Sequence, residues 1–596
     1  MHPVSPHRFG NARRPGGDAR LRLASALILA AVLALAVRLF VLMVVQNNFY
    51  TALAAGSHEI YAQLFPRRGE IFLQDSRTGE EFPAALNQDL YLLYADTRAI
   101  PDDAAAGRII DSLAPIFVYD AARTSTLFSA LTKRTDPYEP IEQKVEPEQM
   151  EAIKALGLPG IHFTGRPHRF YPEYNLAAHV LGFLGKNEDG TDQGRYGIEG
   201  YWQEELAGRG GFLEGVRSAG GRWIPLAGRS LKPAQDGVDL VLTIDRTIQY
   251  KACETLRRGL DEYRAKSGAA IVMDPRTGAI LAMCSLPDFD LNTYGKVDDA
   301  NAYNNSAIFT PYEPGSIFKP IAMAAALNEG LVNPETPFHD SGRREGLCSH
   351  PIQNAGNRVH GDQTMTGVLQ NSINTGMVYV AEILGKARFV DYVKKFGFGI
   401  KTGIELDTEV TGVIDSLAIN QGNKLDCYTA TASFGQGITV TPIQIADAFS
   451  AIANGGTLMK PYIVKEKRLA DGRVERTKPR ELAVVLSRRA ASLLSGMMVK
   501  TVDKGYSGRA RVPGYYVAGK SGTAEIAGGG GYTDTYNHSF VGFAPVGDPK
   551  FVLFIKYEKP ERAYAESTAA PVFGELARFM LEYFQVPPER EAAESD

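Results

Sequence analysis

The strongest hydrophobic pattern is a long apolar stretch near the start of the chain. Leu23 to Val45 contains only two polar residues, Ser25 and Arg38. As a helix it would span roughly 34 Å, which is enough to cross the core of a bilayer. Five arginines and a single acid, Asp18, precede it. The positive-inside rule therefore predicts a cytoplasmic tail over 1–22 and a single transmembrane anchor in the inner membrane, with the rest of the chain extracytoplasmic.

A cleaved signal peptide is the rival interpretation of this stretch. The apolar run is too long for one, and its end, Val44 to Asn47, has no small-x-small cleavage site. Arg38 has two open interpretations, since a charge inside the span either contacts a second membrane protein or extends toward the headgroups.

Residues 46–235 mix short apolar runs with many glycines, prolines and charged residues. Examples of such runs are Leu90 to Tyr94 and His179 to Leu184. This pattern is typical of short strands and helices, so we expect an α+β non-catalytic module with little chemistry of its own. The glycine-rich segment from Gly208 to Arg222 predicts loop and hairpin structure at its end.

The hydrophobic pattern becomes more regular between residues 236 and 586. Two apolar runs, Ala269 to Met273 and Ala279 to Met283, flank an Asp-Pro-Arg-Thr-Gly turn and predict an antiparallel hairpin. Val238 to Thr243 and Phe551 to Tyr557 predict further strands.

Helical spacing of apolar residues follows Asp245, a candidate N-cap, and recurs between Val572 and Tyr583. We therefore expect an α+β domain over 236–586, in which helices enclose an antiparallel sheet and the middle of the chain forms a helical lobe. Residues 587–596 are polar and acidic, and predict a disordered tail.

Composition and charge exclude some functions. The chain has 596 residues, with 64 Lys and Arg against 68 Asp and Glu, for a net charge of -4. A protein whose main partner is nucleic acid would carry a basic excess, so we expect no nucleic acid here. The four cysteines stand at wide, irregular spacings, which permits disulfides outside the membrane but does not define their pairing.

Three short motifs follow one another within about 210 residues. They are Ser316-Ile-Phe-Lys319, Ser372-Ile-Asn374 and Lys520-Ser521-Gly522-Thr523. Each is common alone, but together they supply a serine nucleophile, a lysine one helical turn away, a second hydroxyl, an amide and a cationic strand. This is the equipment of an acyl-transfer site that lacks histidine.

The first motif predicts the reacting groups. Ser316 opens a helical run, where backbone N–H groups and the helix dipole favour a developing oxyanion. Lys319 at i+3 lies on the same face and can accept the serine proton if it is neutral. Burial of Lys319 and the nearby charge of Lys520 could keep the Lys319 amine neutral. An ordinary surface helix is the alternative for this motif taken alone.

The other two motifs predict proton relay and substrate binding. In a functional interpretation Ser372 relays the proton to the leaving amine and Asn374 holds the substrate amide, although a simple helix connection would have the same composition. Lys520 begins a motif on a strand to which a peptide substrate could add. There Gly522 permits close backbone approach, and the hydroxyls of Ser521 and Thr523 can bind a terminal carboxylate.

The chain resembles class B penicillin-binding proteins, the monofunctional D,D-transpeptidases of peptidoglycan synthesis. The resemblance rests on the three motifs, the anchor and further matching segments at 166–172, 177–179, 197–201, 242–245, 312–316, 441–442 and 540–545. It implies that Ser316 is acylated by a D-Ala-D-Ala stem peptide, that Lys319 is its base, and that Ser372, Asn374 and Lys520 support them. The backbone N–H groups of Ser316 and Thr523 would form the oxyanion hole. Ser521 replaces the threonine of many relatives and keeps the hydroxyl.

The resemblance also implies partners. Besides stem peptides and β-lactams, we expect a multi-span glycosyltransferase of the shape-elongation-division-sporulation (SEDS) group, because no glycan-polymerising domain is found in the chain. The segment from Arg166 to Gly185 favours a role in division over elongation.

Three alternatives stay open. A β-lactamase would need a glutamate that activates water, and Glu405 and Glu409 lack the Glu-x-x-Leu-Asn form. A D,D-carboxypeptidase would acylate in the same way and use water as acceptor. A non-enzymatic sensor or scaffold would keep the fold without turnover.

No cofactor is expected. Cys348, His350, His360 and Asp362 form a loose set of metal-capable residues, but their irregular spacing is weak evidence for a metal.

Overall fold

The computed structural model describes residues 59–64, 66–188, 190–216, 230–419, 423–528 and 531–591. The predicted cytoplasmic tail and the anchor over 23–45, including Arg38, lie outside the described residues. Within the described residues, no helix combines the length and apolar character needed to cross a membrane.

The chain divides into two compact units. The smaller unit comprises Met1–Pro66 and Arg209–Gln235, and the larger comprises Arg67–Gly208 and Asp236–Asp596. In the smaller unit, an antiparallel sheet of three strands has the order Glu59–Leu64, Gly211–Val216 and Ser230–Lys232.

A mixed sheet of seven strands runs through the larger unit and joins its two sequence segments. Asp239–Asp245 pairs in parallel with Ile71–Gln74, and the other strand pairs are antiparallel. The predicted strand at Val238 to Thr243 therefore exists but belongs to this shared sheet. From one edge the strands are Val474–Arg476, Val464–Arg468, Asp239–Asp245, Ile71–Gln74, Glu81–Ala95 and Glu139–Val145, with Ile161–Phe170 paired to the free side of Glu81–Ala95.

Short helices complete the non-catalytic module, which confirms its predicted α+β character. Leu93, Ile109 and Leu131 are among the buried residues of its separate core. The helices are Asp103–Phe117, Ala121–Leu131, Pro147–Ala155, Ala178–Leu181, Gly197–Tyr201 and Gln203–Ala207, and a ribbon pairs Phe183–Lys186 with Asp192–Arg195.

Charged side chains are buried within this module. Glu199 is fully buried and pairs with Arg169 at 2.7 Å and with Arg68. The Tyr171 hydroxyl adds a hydrogen bond to the same carboxylate at 3.4 Å. Burial alone would raise the pKa of Glu199, but the Coulombic attraction of Arg169 and Arg68 outweighs it and lowers the pKa.

An antiparallel sheet of five strands is the centre of the catalytic domain, as predicted. Numbered in chain order, its strands are Ser267–Met273 (β1), Ile280–Leu286 (β2), Ala518–Gly528 (β3), Gly531–Ala544 (β4) and Phe551–Glu558 (β5). Their order in the sheet is β2-β1-β5-β4-β3, so β3 lies at an edge. The predicted hairpin forms β1 and β2, and the predicted strand near the end is β5.

Helices cover both faces of this sheet, which confirms the predicted sandwich. Helix α1, Arg246–Tyr263, begins where the Asp245 side chain accepts a hydrogen bond from the Ile248 N–H at 2.9 Å. It packs on β1 and β2, and the last helix, Ala569–Tyr583, packs on β4 and β5. Pro442–Ala453 covers the opposite face against β1, β4 and β5.

The middle of the chain forms the predicted helical lobe. Besides Pro442–Ala453, its helices are Ser306–Phe309, Lys319–Asn328, Met365–Gln370, Asn374–Leu384, Lys386–Lys395, Cys427–Ala432 and Arg488–Lys504. Two-stranded ribbons pair Pro337–Asp340 with Gly361–Thr364, Arg343–Arg344 with Ile352–Gln353, and Thr457–Met459 with Glu481–Val484.

All four cysteines form disulfides, which resolves the pairing that the sequence left open. Cys253 of α1 bonds to Cys284 of β2, with their Cα atoms 5.5 Å apart. Cys348 bonds to Cys427, with their Cα atoms 4.9 Å apart. The second bond ties the loop before Ile352–Gln353 to the start of the helix Cys427–Ala432.

The disorder predicted from Pro587 is not found over residues 587–591. Glu589 donates its N–H to the Gly514 carbonyl at 2.8 Å. Arg590 forms two hydrogen bonds of 2.9 Å with Asp503. These contacts order the chain up to Glu591, and residues 592–596 lie outside the described residues.

Replacing Glu199 with Gln should destabilise the protein strongly. The substitution leaves two buried guanidinium groups without a negative partner, and breaking such a pair typically costs about 3 kcal/mol. We expect a clear fall in the urea concentration at half-unfolding of the full chain. The control Glu204→Gln changes an exposed carboxylate on the next helix and should leave that midpoint unchanged. Equal midpoints for the two variants would contradict the stabilising role of the cluster.

Candidate active site

Ser316 lies in a 3-10 turn, Gly315–Phe318, that leads directly into the α-helix Lys319–Asn328. The α-helix therefore begins two residues later than the predicted helical run, which started at Ile317, and has Pro320 in its first turn. Ser316 is partly exposed, whereas Lys319 is fully buried. The Gly315 N–H donates to the Gly435 carbonyl at 3.0 Å, which fixes the turn on the loop that follows the helix Cys427–Ala432.

The Lys319 ammonium group joins the first two motifs. Its Nζ donates to the Ser372 carbonyl at 2.5 Å, the Ser372 hydroxyl at 3.1 Å and Asn374 Oδ1 at 2.7 Å. Burial and, next, the charge of Lys520 hold the pKa of Lys319 well below its usual value. The geometry therefore supplies the two influences that a basic lysine needs, desolvation and a neighbouring cation.

Ser372 adopts a left-handed backbone, with φ of 53°, in the connection between Met365–Gln370 and Asn374–Leu384. This conformation is uncommon for residues other than glycine and is often found at functional sites. It places both the carbonyl and the hydroxyl of Ser372 on Lys319. Of the three acceptors, only this hydroxyl can also donate, so it can pass a proton to a neutral amine.

A buried polar network that the sequence analysis missed holds this connection. The Asn354 side-chain oxygen accepts hydrogen bonds from the N–H groups of Asn374 at 2.9 Å and Thr375 at 3.2 Å. Asp340 accepts from Asn354 Nδ2 at 2.8 Å and from the Thr375 hydroxyl at 2.6 Å. No motif spacing marks Asp340 or Asn354, although each precedes a short polar turn.

The Asn374 amide is held at both ends. Its oxygen accepts from Lys319, and its Nδ2 donates to the Gln353 carbonyl at 2.8 Å. Nδ2 carries a second hydrogen, which leaves one donor for a substrate carbonyl.

Lys520 lies on the edge strand β3 and is almost completely buried. Its Nζ donates to the Ser521 carbonyl at 2.9 Å. Burial lowers the pKa of Lys520 to about 8, against an opposing contribution from Glu566. Lys520 is thus mostly protonated at neutral pH and supplies the second positive charge beside Lys319.

β3 packs directly against the turn that carries Ser316. A Cβ atom at Gly522 would lie 2.9 Å from Ile317 Cγ2 and 3.1 Å from the Pro314 carbonyl oxygen. A Cβ atom at Gly315 would lie 3.0 Å from the Ala524 Cβ. A larger residue at either glycine would force the two segments apart, so the close approach depends on glycine at both positions. The structure thus brings all three motifs to one cleft.

The two hydroxyls expected to bind a carboxylate already have partners in the protein. Ser521 is buried, and its hydroxyl receives a hydrogen bond from Ser507 at 3.4 Å. Thr523 is partly exposed, and its hydroxyl accepts from the Ala565 N–H at 3.1 Å. In both cases the hydroxyl acts as acceptor, so its own hydrogen remains available to a ligand oxygen.

The metal-capable residues between the first two motifs do not form a cluster. Cys348 is oxidised to a disulfide, and His339 rather than His350 or His360 contacts Asp362, at 2.7 Å. Across the described residues, no group of three or more His, Cys, Asp or Glu side chains could hold a metal ion.

Comparisons with known proteins agree with this geometry. Residues 268–578 match the family model of the penicillin-binding protein transpeptidase domain. Residues 63–242 match that of the penicillin-binding protein dimerisation domain.

Two curated relatives and one solved structure illustrate the similarity. The chain is 33% identical to Stage V sporulation protein D of Bacillus subtilis, over 96% of this chain and 88% of that protein. It is 30% identical to the peptidoglycan D,D-transpeptidase FtsI of Escherichia coli, over 75% of this chain and 73% of that protein. The crystal structure of penicillin-binding protein 3 from Mycobacterium tuberculosis in complex with aztreonam has a TM-score of 0.67 and 25% identity, covering 89% of this chain and 99% of that one.

Both domain models match, and one relative aligns over nearly the whole length of the chain. The chain therefore belongs to the penicillin-binding protein transpeptidase family, and its similarity to FtsI-type relatives places it in class B.

Proposed function

We propose that this protein is a serine-type peptidoglycan D,D-transpeptidase that cross-links stem peptides through an acyl-enzyme on Ser316. One observation supports this most directly: a buried lysine with a lowered pKa, Lys319, contacts Ser372 and Asn374 at the base of the Ser316 helix. The names of relatives such as FtsI support the same reaction. The structure of a relative with aztreonam supports sensitivity to β-lactams.

Acylation begins when neutral Lys319 accepts the proton of the Ser316 hydroxyl and the serine oxygen attacks the carbonyl of the penultimate D-alanine. The N–H groups of Ser316 and Thr523 are proposed to stabilise the resulting oxyanion. Lys319 returns the proton through Ser372 to the nitrogen of the terminal D-alanine. The C–N bond then breaks, free D-alanine leaves, and an ester remains on Ser316.

Transfer of the acyl group from Ser316 to the acceptor peptide reverses these steps, with the acceptor amine in place of D-alanine. The acceptor amine attacks the ester carbonyl and loses a proton to Lys319 through Ser372. The Ser316 oxygen then recovers that proton as it leaves. The new amide joins two stem peptides.

The open edge of β3 supports binding of a peptide as an additional strand. Among the strands of the described residues, β3 pairs with β4 alone, so the backbone groups on its other side have no partner strand there. A bound stem peptide can use these groups, with its terminal carboxylate at Lys520, Ser521 and Thr523.

The alternative of a β-lactamase receives no support from the two candidate glutamates. Glu405 accepts the N–H groups of Ile463 and Val464, each at 3.0 Å. Glu409 accepts from the Thr402 N–H at 2.7 Å and the Gly403 N–H at 3.1 Å. Both carboxylates are therefore engaged by backbone N–H groups and hold loops together.

The cellular context is a further part of the proposal. The predicted anchor over 23–45 would hold the domain outside the inner membrane. A SEDS-type glycosyltransferase and division proteins are the proposed partners, with Arg38 and the non-catalytic module as candidate contact sites. The domain boundaries at 46 and 236 are proposed on the same sequence grounds.

Incubating the full chain in detergent with a D-Ala-D-Ala donor peptide and an amine acceptor tests the reaction. We expect a cross-linked product by mass analysis, and none with Ser316→Ala. The variant Ser129→Ala, which changes an exposed serine of the module, should form product normally. Release of free acid without cross-linked product would support a carboxypeptidase instead.

Lys319→Arg should abolish acylation by fluorescent penicillin. Arginine keeps the positive charge and much of the length, but its pKa above about 12 prevents it from acting as a base. The rate of labelling should fall by about 10³-fold, in line with loss of a general base. Lys394→Arg, at an exposed position, is the matched control. Normal labelling of Lys319→Arg would exclude Lys319 as the base.

Acylation should decline above about pH 8. Lys520 has a pKa lowered to about 8, so the charge that attracts the substrate carboxylate is present below this pH and is lost above it. The lowered pKa of Lys319 keeps that base neutral to lower pH than an ordinary lysine. In Lys520→Arg the alkaline decline should move to higher pH, as measured by labelling rates between pH 6 and about 10. If the alkaline decline of Lys520→Arg occurs at the same pH as that of the wild type, the decline belongs to a group other than Lys520.

A further inference from the structure

Arg358 and Tyr506 contact each other although they belong to different segments, one before the second motif and one before the third. An Arg358 N–H donates to the Tyr506 hydroxyl, and the guanidinium carbon lies 5.5 Å from the centre of the tyrosine ring. Both side chains are exposed. The pair therefore joins these two segments at the protein surface, where a ligand can reach it.

Arg358 is anchored to the second motif. Asn354 donates from its side-chain nitrogen to the Arg358 carbonyl at 3.0 Å. The oxygen of the same amide accepts the Asn374 N–H at 2.9 Å. One buried side chain thus fixes both Arg358 and the residue that contacts Lys319.

Tyr506 is anchored to the third motif. Its neighbour Ser507 is fully buried and donates to the Ser521 hydroxyl at 3.4 Å. A Cβ atom at Gly505 would lie 2.6 Å from the Gln370 carbonyl oxygen, so this loop is closely packed. The Arg358–Tyr506 pair therefore includes a residue directly adjacent in sequence to one that contacts Ser521, the proposed carboxylate ligand.

The charge of Arg358 has no acidic partner within the described part of the chain. The neighbouring Arg343 and Arg344 differ, since they pair with Glu345 at 2.6 Å and Glu382 at 2.8 Å. The Arg358 guanidinium instead contacts the hydroxyl and the ring of Tyr506. These contacts hold the guanidinium in place without neutralising its charge. An exposed guanidinium held in this way can accept a carboxylate with two hydrogen bonds.

We propose that Arg358, held by Tyr506, is a positioning residue that recognises the terminal carboxylate of the donor peptide as it enters the cleft. The proposal rests on the proposed transpeptidase function and adds a specificity residue outside the three motifs. Arg358 guides the carboxylate toward Lys520, Ser521 and Thr523 but takes no part in bond formation. Because the group is exposed, its effect depends on ionic strength.

Two thioester probes that acylate Ser316 test the proposal on the full chain in detergent. One is an acylated D-alanyl thioglycolate with a free carboxylate, and the other is its methyl ester. In Arg358→Gln we expect the second-order acylation rate of the acid probe to fall about three-fold, as for an exposed ion pair. The rate of the ester probe should not change, and the salt dependence of the acid probe should weaken.

Further variants separate recognition from simple support of the fold. Arg358→Lys keeps the charge and should retain most of the preference for the acid probe, whereas Tyr506→Phe should lose part of it. Arg343→Gln on the neighbouring strand is the matched control and should match the wild type. Equal losses with both probes, or no change with either, would overturn the proposal. Failure of the wild type to be acylated by either probe would instead refute the proposed function.

Discussion

The active site depends on the burial of one amine without a carboxylate beside it. Lys319 is completely enclosed, and its Nζ contacts only neutral oxygens of Ser372 and Asn374. A carboxylate partner would stabilise the ammonium form and remove the basicity. The lowered pKa of Lys319 follows from this arrangement, and the second cation, Lys520, reinforces it. The contacts of Ser372 and Asn374 hold this amine one helical turn from Ser316.

Holding such an amine requires support from distant parts of the chain. The only carboxylate of the supporting network, Asp340, contacts Asn354 and Thr375 and leaves the lysine to amide and hydroxyl groups. Burial would raise the pKa of Asp340, but hydrogen bonds led by that of Thr375 lower it instead. The negative charge of Asp340 is thus compensated by its own hydrogen bonds to Asn354 and Thr375. The network keeps the left-handed Ser372 in place without weakening the base.

Much of this arrangement could be predicted from the sequence, because motif order and hydrophobic periodicity are local properties. The hairpin of β1 and β2, the last helix and the meeting of three motifs all followed from them. The parallel pairing of Asp239–Asp245 with Ile71–Gln74 did not, since it depends on a contact between residues about 170 positions apart, which no periodicity encodes. The disulfide pairing and the role of Asn354 were missed for the same reason. Disorder was a wrong expectation for residues 587–591, since composition does not reveal that Asp503 lies within reach of Arg590.

The unpaired side of β3 also limits how the fold can change. A row of free backbone donors and acceptors invites association with any extended chain, including another copy of the protein. The irregular register between Glu525 and Ala527 shortens the regular part of this strand and so restricts such pairing. Many sheet proteins hide an edge by adding a sixth strand or a covering helix. Here that solution would block the edge where a peptide is proposed to bind, so any insertion on this flank has to remain short.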